Sequence, residues 1–195
     1  MDNKERISGE DMMTTPEELY RRYLKGDDTA FDRLLELFRE GVTLFILRTV
    51  KDATVAEDIA IDVFADLVIH KHRFDPKRAS LKTYLYLMAR SRTVDYLRKA
   101  SKTSTVELTE ETVKATAEST EERFVREERA RSLNRAIEKL PRDMQDAVYL
   151  VYFEKLSYKD AARVMKKTSK QVDNLIYRAK KELKSIITEE GGLLI

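Results

Sequence analysis

The chain of 195 residues contains no cysteine. That excludes a disulfide framework, thiol catalysis and a cysteine-ligated zinc. Glycine and proline are also scarce, at five and three copies, so a sheet-rich fold built on tight turns is not expected. The two histidines, His70 and His72, diverge on a helix and have no third ligand nearby, so no metal site is expected. The first thirteen residues have no apolar core and do not read as a secretory signal. No apolar run approaches the roughly 20 residues that span a bilayer. A cytoplasmic, non-membrane protein is expected. There is no nucleotide-binding loop, no nucleophile–base pair and no metal motif, so neither cofactor nor catalytic residue is expected.

What the chain does have is charge and helical periodicity. Apolar residues make up 42% and charged residues 37%, which suits helices with small packed cores and wet outer faces. Thr15-Pro16-Glu17-Glu18 reads as a helix start, and Gly26 as its end. A second helix after Asp27 or Asp28 carries Phe31, Leu34, Leu35, Phe38, Val42, Phe45 and Ile46 at helical spacing. Thr54 with Glu57 reads as a capping box for a third, with Ile59, Val63, Phe64 and Leu67 inward. Ser80 caps a fourth, carrying Leu81, Tyr84, Leu85, Met88, Val94 and Leu97.

Periodicity stops over 103–122, a Thr- and Glu-rich stretch whose single cation is Lys114. It reads as a flexible acidic linker. Beyond it Leu133, Ile137 and Leu140 form a stripe that ends at Pro141. Pro141 opens a helix with Met144, Val148, Val151 and Tyr152 inward. Ser157 with Asp160, and Thr168 with Gln171, read as capping boxes for a short and a longer helix. In the longer one Val172, Leu175, Ile176, Ala179, Leu183 and Ile186 point inward. The expected fold is all-α, with two small helical domains. Their bounds are 15–100 and 123–188, between a loose N-terminus (1–14), the linker (101–122) and a tail (189–195).

Three surfaces stand out. Residues 52–70 carry Asp52, Glu57, Asp58, Asp62 and Asp66 without a Lys or Arg. Asp58, Asp62 and Asp66 line one helix face, where like charges cost about 0.2–0.5 kcal/mol per pair. No cation within the segment relieves them, whereas a basic partner surface would. Directly after come Lys71, Arg73, Lys77, Arg78, Lys82, Arg90, Arg92, Arg98, Lys99 and Lys102, against Asp75 and Asp95 alone. They are interleaved with exposed-looking Phe74, Ser80, Thr83, Tyr84, Tyr86 and Tyr96. Cations follow a phosphate backbone and rings stack on unpaired bases, although some of these rings pack in the core, Tyr84 foremost. The third surface has helix-turn-helix proportions: a helix over about 158–165, a turn at Lys166–Thr168 and a helix over about 169–187. Thr168, Ser169 and Lys170 bring free N–H groups and charge to a helix start, which suits phosphate. Gln171, Asn174 and Arg178 share a face and can bond base edges, with Lys181 a turn further on.

The stretches AEDIAIDVFADL (56–67), FDPKRASLKTYLYLMARSRTVDYLRK (74–99), LPRDMQDAVYLVYFEKLSYKDAARVM (140–165) and KQVDNLIYRAKKEL (170–183) together resemble the extracytoplasmic-function group of bacterial RNA polymerase sigma factors, in that order. The resemblance implies that 15–100 is region 2 and 123–188 is region 4. It implies that Glu57, Asp58 and Asp62, with Asp66 on the same acidic stripe, face core RNA polymerase. It implies that Phe74–Lys99 captures the melted −10 promoter element, with Lys77, Arg78, Ser80, Arg90, Ser91, Asp95, Arg98 and Lys99 near DNA. The helix from Thr168 would read the −35 duplex, and an anti-sigma factor would be a further partner. The chain departs from the family at Tyr84 (often Trp), Ser91 (often Asn), Lys166 and Lys167 (often Gly and an apolar residue) and Asp173 (often basic). On the residues themselves two other readings stay open. One is a helix-turn-helix regulator acting without polymerase. The other is a helical adaptor that binds no DNA.

Overall fold

The computed structural model describes residues 14–103 and 132–189. The expectations for residues 1–13, for the linker from 104 onward, for 123–131 and for 190–195 lie outside the described residues. Among the described residues all regular structure is helical, and the protein is all-α. The chain divides into two compact units.

The first unit is a bundle of α1 (Pro16–Leu24), α2 (Asp28–Val50), α3 (Ala53–Ile69) and α4 (Leu81–Thr103). α2 is its hub and touches the other three. Leu34, Phe38, Val42, Phe45 and Ile46 of α2 are buried against Leu19, Tyr20 and Tyr23 of α1, Ile59, Val63, Phe64 and Leu67 of α3, and Leu81, Leu85, Tyr86 and Ala89 of α4. The ends are written locally. The Thr15 hydroxyl accepts from Glu18 N–H at 3.2 Å, and Pro16 sits at the first helical position. Gly26, at φ 99°, breaks α1 from α2.

One expected cap moves. Asp52, not Thr54, opens α3, and its carboxylate accepts from Val55 N–H at 3.0 Å. Lys51 ends α2 in the left-handed region at φ 60°. That reverses the chain at once and leaves the short acid beside it to take the free donors, so Thr54 and Glu57 lie inside the helix. The α4 stripe also differs. Val94 and Leu97 are 51% and 40% exposed, while Thr93 is buried. Thr93 tolerates burial because its hydroxyl donates to the Ala89 carbonyl at 2.7 Å.

The second unit comprises α5 (132–138), α6 (Arg142–Val148), α7 (Tyr158–Met165) and α8 (Ser169–Glu189). Pro141 stands one place before α6, as its cap. Gln145 Nε2 donates back to the Leu140 and Glu138 carbonyls at 2.8 and 2.9 Å, covering acceptors left over at the end of α5. α6 runs on into a widened turn, Tyr149–Phe153, in which Glu154 N–H reaches the Tyr149 carbonyl at 3.0 Å. A wider turn rotates less per residue and re-aims the side chains that follow. Tyr149 and Leu150 are therefore buried, but Val151 is half-buried and Tyr152 is exposed, contrary to the inward positions expected of them. Leu133 is exposed as well, leaving Ala136, Ile137 and Leu140 as the buried stripe of α5.

Candidate functional site

On α3 the acidic face forms as a surface. Glu57, Asp58 and Asp62 are exposed, and Asp66 is half-buried. The relief that the isolated segment lacks comes from α4. Arg92 Nη2 lies 3.3 Å from Asp66 Oδ1, and Nη1 lies 4.0 Å from Asp62 Oδ2. His70 Nε2 stands 3.4 Å from the same Asp66 oxygen. Nothing in sequence spacing relates Arg92 to Asp66; only the packing of α3 on α4 does. Beside the acids runs an apolar groove between α2 and α3, lined by Phe31, Leu35, Ala60, Ile61, Phe64 and Ile69 among others. Ile61 and Ile69 are 59% and 71% exposed. The signal for this groove is the i, i+4, i+8 run of Ile61, Ala65 and Ile69 between the acids, which a reading fixed on charge passes over.

The basic segment divides into a loop and one helix face. Asp75 organises the loop: its carboxylate accepts from Lys77 N–H at 2.9 Å and its carbonyl from Arg78 N–H at 3.0 Å. The Lys77 and Arg78 side chains are exposed. The Ser80 hydroxyl caps α4, accepting from Thr83 N–H at 3.1 Å and lying 2.8 Å from Thr83 Oγ1. Along α4 Tyr84, Ser91, Asp95 and Arg98 are spaced by near-whole turns and share the face away from the core. Arg98 Nη2 pairs with Asp95 Oδ1 at 3.1 Å. Arg90 is half-buried about a quarter-turn off that face, while Lys99 is exposed at its edge.

Two of the aromatic and polar groups expected outside are inside. Thr83 and Tyr86 are fully buried, and the Tyr86 ring packs edge-on against Phe45 at 5.3 Å. Tyr84 is half-buried with its ring 5.4 Å from Phe74. Burial, and then the Asp66 carboxylate, push its phenol up.

In the second unit α7 and α8 make the helix-turn-helix. Ser157 caps α7, accepting from Asp160 N–H at 3.1 Å. Lys166 turns the chain in the left-handed region at φ 54°, taking the conformation that glycine would take at that place. Lys167 Nζ ties the turn to Asp143 of α6 at 2.9 Å. The Thr168–Gln171 box is reciprocal: Thr168 N–H donates to Gln171 Oε1 at 2.7 Å, and Gln171 N–H donates to Thr168 Oγ1 at 3.2 Å. Gln171 thereby commits one of the two lone pairs of its amide oxygen to the cap, which fixes the direction in which its amide faces outward.

Ser169, Lys170, Asn174, Arg178 and Lys181 are all exposed, and the last four share one face of α8. Tyr177, 71% exposed, lies on the same arc and was not singled out from the sequence, because a tyrosine among apolar residues at helical spacing looks like core. Asp173 belongs to the flank. Its charge acts on Tyr158 and Lys180, and Lys180 lies over the Tyr152 ring at 5.3 Å. The hydrogen bond with Tyr152 is the main cause that raises Lys180. Among the described residues no group of three or more His, Asp or Glu side chains is placed to hold a metal ion. No helix among them is long and apolar enough to cross a membrane.

A charged bundle joined in one chain to a helix-turn-helix defines a class, and the comparisons name it. Residues 34–103 match the sigma-70 region 2 family, and residues 130–183 match the sigma-70 region 4 family. The ECF RNA polymerase sigma factor SigM of Bacillus subtilis is 27% identical over 161 residues, covering 80% of this chain and 93% of that protein. The RNA polymerase sigma-H factor of Pseudomonas aeruginosa is 29% identical over 178 residues, covering 86% and 91%. Among solved structures, the sigma factor RpoE of Bartonella quintana, in complex with the anti-sigma factor NepR, superposes with a TM-score of 0.64 at 19% identity, covering 81% of this chain and 96% of that one. CnrH, in complex with the cytosolic domain of CnrY, superposes at 0.58 and 18% identity, covering 88% and 96%. The chain belongs to the sigma-70 family, as a sigma factor of the extracytoplasmic-function type.

Proposed function

We propose that this sigma factor docks on core RNA polymerase through α3 and directs it to promoters by two separate DNA contacts. Residues 15–100 act as region 2 and 123–188 as region 4, joined by the linker at 101–122. Glu57, Asp58 and Asp62, with the apolar groove beside them, receive a basic, helical surface of the polymerase. Asp66, held by Arg92, braces the acid face from behind. The loop carrying Lys77 and Arg78, with the Tyr84–Ser91–Asp95–Arg98 face of α4, captures the melted −10 strand. Unstacking a base costs a few kcal/mol, which pocket contacts and polymerase binding offset. The α8 face of Lys170, Asn174, Arg178 and Lys181 reads the −35 duplex. None of these steps breaks a covalent bond. By analogy with the complexed relatives, an anti-sigma factor is a third partner, and the site of action is the cytoplasm.

The observation that carries this reading is the segregation of charge by face, within the first unit and again on α8 of the second. Carboxylates line α3, cations line the following loop and the end of α4, and a second cationic face stands on α8.

Run-off transcription with core polymerase and a genomic library, followed by start-site mapping, tests it. The wild-type chain is expected to add start-site selectivity. The double variant Asp58→Arg, Asp62→Arg is expected to lose polymerase binding while keeping duplex binding; Lys170→Ala with Arg178→Ala is expected to do the opposite. Circular dichroism confirms the fold of each. A folded chain that adds no selectivity refutes the proposal, and operator binding without polymerase would place the chain among helix-turn-helix regulators.

A further inference from the structure

The loop between α3 and α4, residues 71–80, carries Lys71, His72, Arg73, Lys77 and Arg78, all exposed. Its own backbone bonds are confined to two turns, one in which Arg73 N–H donates to the His70 carbonyl at 2.9 Å and the one at Asp75. Beyond these turns and the Phe74 contact with Tyr84 of α4, its anchors come from α1, an element to which no DNA or polymerase contact is assigned. At the loop's start the Tyr20 hydroxyl donates to the Lys71 carbonyl at 2.7 Å, with the Leu67 carbonyl 3.4 Å away. These acceptors lie where α3 ends and its carbonyls lack helical partners. At the loop's far end the Glu17 carboxylate accepts from Leu81 N–H, the first amide of α4, at 2.8 Å. In the middle the Phe74 ring meets Tyr20 edge-on at 5.5 Å and leans on Tyr84. Glu17 and Tyr20 are three residues apart, so they project from one face of α1. Tyr20 is almost wholly buried. A single helical turn therefore grips a ten-residue basic loop at both ends and through its one large apolar side chain.

We infer that Glu17 and Tyr20 are positioning residues for the DNA-capturing loop: they touch no DNA, and they set the separation and orientation of the loop's two ends and hence where Lys77, Arg78 and the Ser80 cap present themselves. This rests on the reading of Phe74–Lys99 as the −10 surface. The physical argument is entropic. A loop fixed at both ends and pinned at Phe74 presents its cations already ordered, whereas a loop released from α1 must be ordered when the strand binds. The neutral acceptor of glutamine can replace that of glutamate toward Leu81 N–H, but alanine cannot.

The test uses holoenzyme assembled from core polymerase and the full chain. The probe is a labelled single-stranded oligonucleotide bearing the −10 sequence from start-site mapping. Glu17→Ala and Tyr20→Phe each remove one anchor and are expected to weaken oligonucleotide binding by about three- to tenfold. Glu17→Gln is expected to stay within about twofold of wild type. Binding of −35 duplex and of core polymerase is expected not to change. Hydrogen exchange on the full chain is expected to quicken more over residues 71–80 and the first turn of α4 than over the α2 core, where only the variant's loss of global stability speeds it. Wild-type affinity in both Glu17→Ala and Tyr20→Phe overturns the inference. So does loss in Glu17→Gln equal to that in Glu17→Ala, or a quickening over residues 71–80 no greater than that over the α2 core. If the wild-type holoenzyme ignores the −10 strand, the −10 reading itself fails, while the exchange pattern still reports whether α1 holds the loop.

Discussion

Among the described residues of this glycine-poor chain, three non-glycine residues sit in the left-handed region, and all are lysines: Lys51, Lys155 and Lys166. Lys51 and Lys166 end helices, where glycine is the usual solution. The left-handed conformation costs an L-residue about 1–2 kcal/mol. Glycine removes that cost but loses about 0.5–1 kcal/mol through the greater freedom of the unfolded chain. The balance for Lys51→Gly or Lys166→Gly spans about 0–1.5 kcal/mol, with a central gain of about 0.5–1 kcal/mol. Both side chains are exposed, so no packing is lost. In a unit of this size such a gain raises the melting temperature by about 2–8 °C. Scanning calorimetry of the full chain measures it, with Lys51→Ala and Lys166→Ala as controls. The alanine variants remove the same charge but keep the Cβ, and they are expected to show no gain. A glycine variant that melts at or below its alanine control refutes the reasoning, because strain at the backbone would then not be what separates them.

Other outcomes follow from the same contacts. Tyr20→Phe is expected to cost about 0.5–1.5 kcal/mol at neutral pH through the lost bond to Lys71, measured by urea denaturation. Burial pushes the Tyr20 phenol up to about 12 from 10.0; the folded chain keeps a proton that the unfolded chain releases, so stability falls as pH rises from 10 toward 12. The decline should be shallower in Tyr20→Phe. The Asp27 carboxyl is held below its ordinary value by hydrogen bonds from Thr29 and Arg22. Its contribution is therefore full above the ordinary carboxylate range and lost as pH falls through the folded value, so the stability gap between wild type and Asp27→Asn should close on acidification. Leu34→Ala, at a fully buried hub position, is expected to cost about 2–5 kcal/mol and to lower the calorimetric transition of the first unit. Lys170→Ala and Arg178→Ala should each reduce the log–log salt slope of duplex binding by about 0.9 if each side chain neutralises one phosphate.

Much of this fold is legible because its signals are local. Thr15, Asp27, Ser157 and the Thr168–Gln171 pair are capping residues that act within three positions of themselves, and each does so in the structure. The α2 and α3 stripes follow from period alone. What escapes is whatever depends on a neighbour in space or on a departure from ideal helix. The widened turn at Tyr149–Phe153 has no marker in a sequence read at 3.6 residues per turn, so Val151 and Tyr152 are assigned to the wrong side. Asp52 is overlooked as the α3 cap because the lysine before it takes a backbone conformation that sequence assigns to glycine. Tyr86 looks like a ring for stacking on bases because cations surround it, yet Phe45, forty-one residues earlier, claims it for the core.

The charged surfaces show the same limit in a sharper form. From composition alone the acids of 52–70 and the cations after residue 70 are two opposed blocks, and each is assigned an external partner. In the fold the blocks meet. Arg92 leaves the cationic block to sit between Asp62 and Asp66, and His70 lies 3.4 Å from the same Asp66 oxygen. Coulomb attraction at 3.3 Å in a half-buried setting is less screened than attraction across solvent, so Asp66 is satisfied internally. Glu57, Asp58 and Asp62 then keep the outward part of the charge. A stripe of evenly spaced acids thus resolves into an anchored base and an exposed edge, and the edge, not the whole stripe, is what a basic partner would meet.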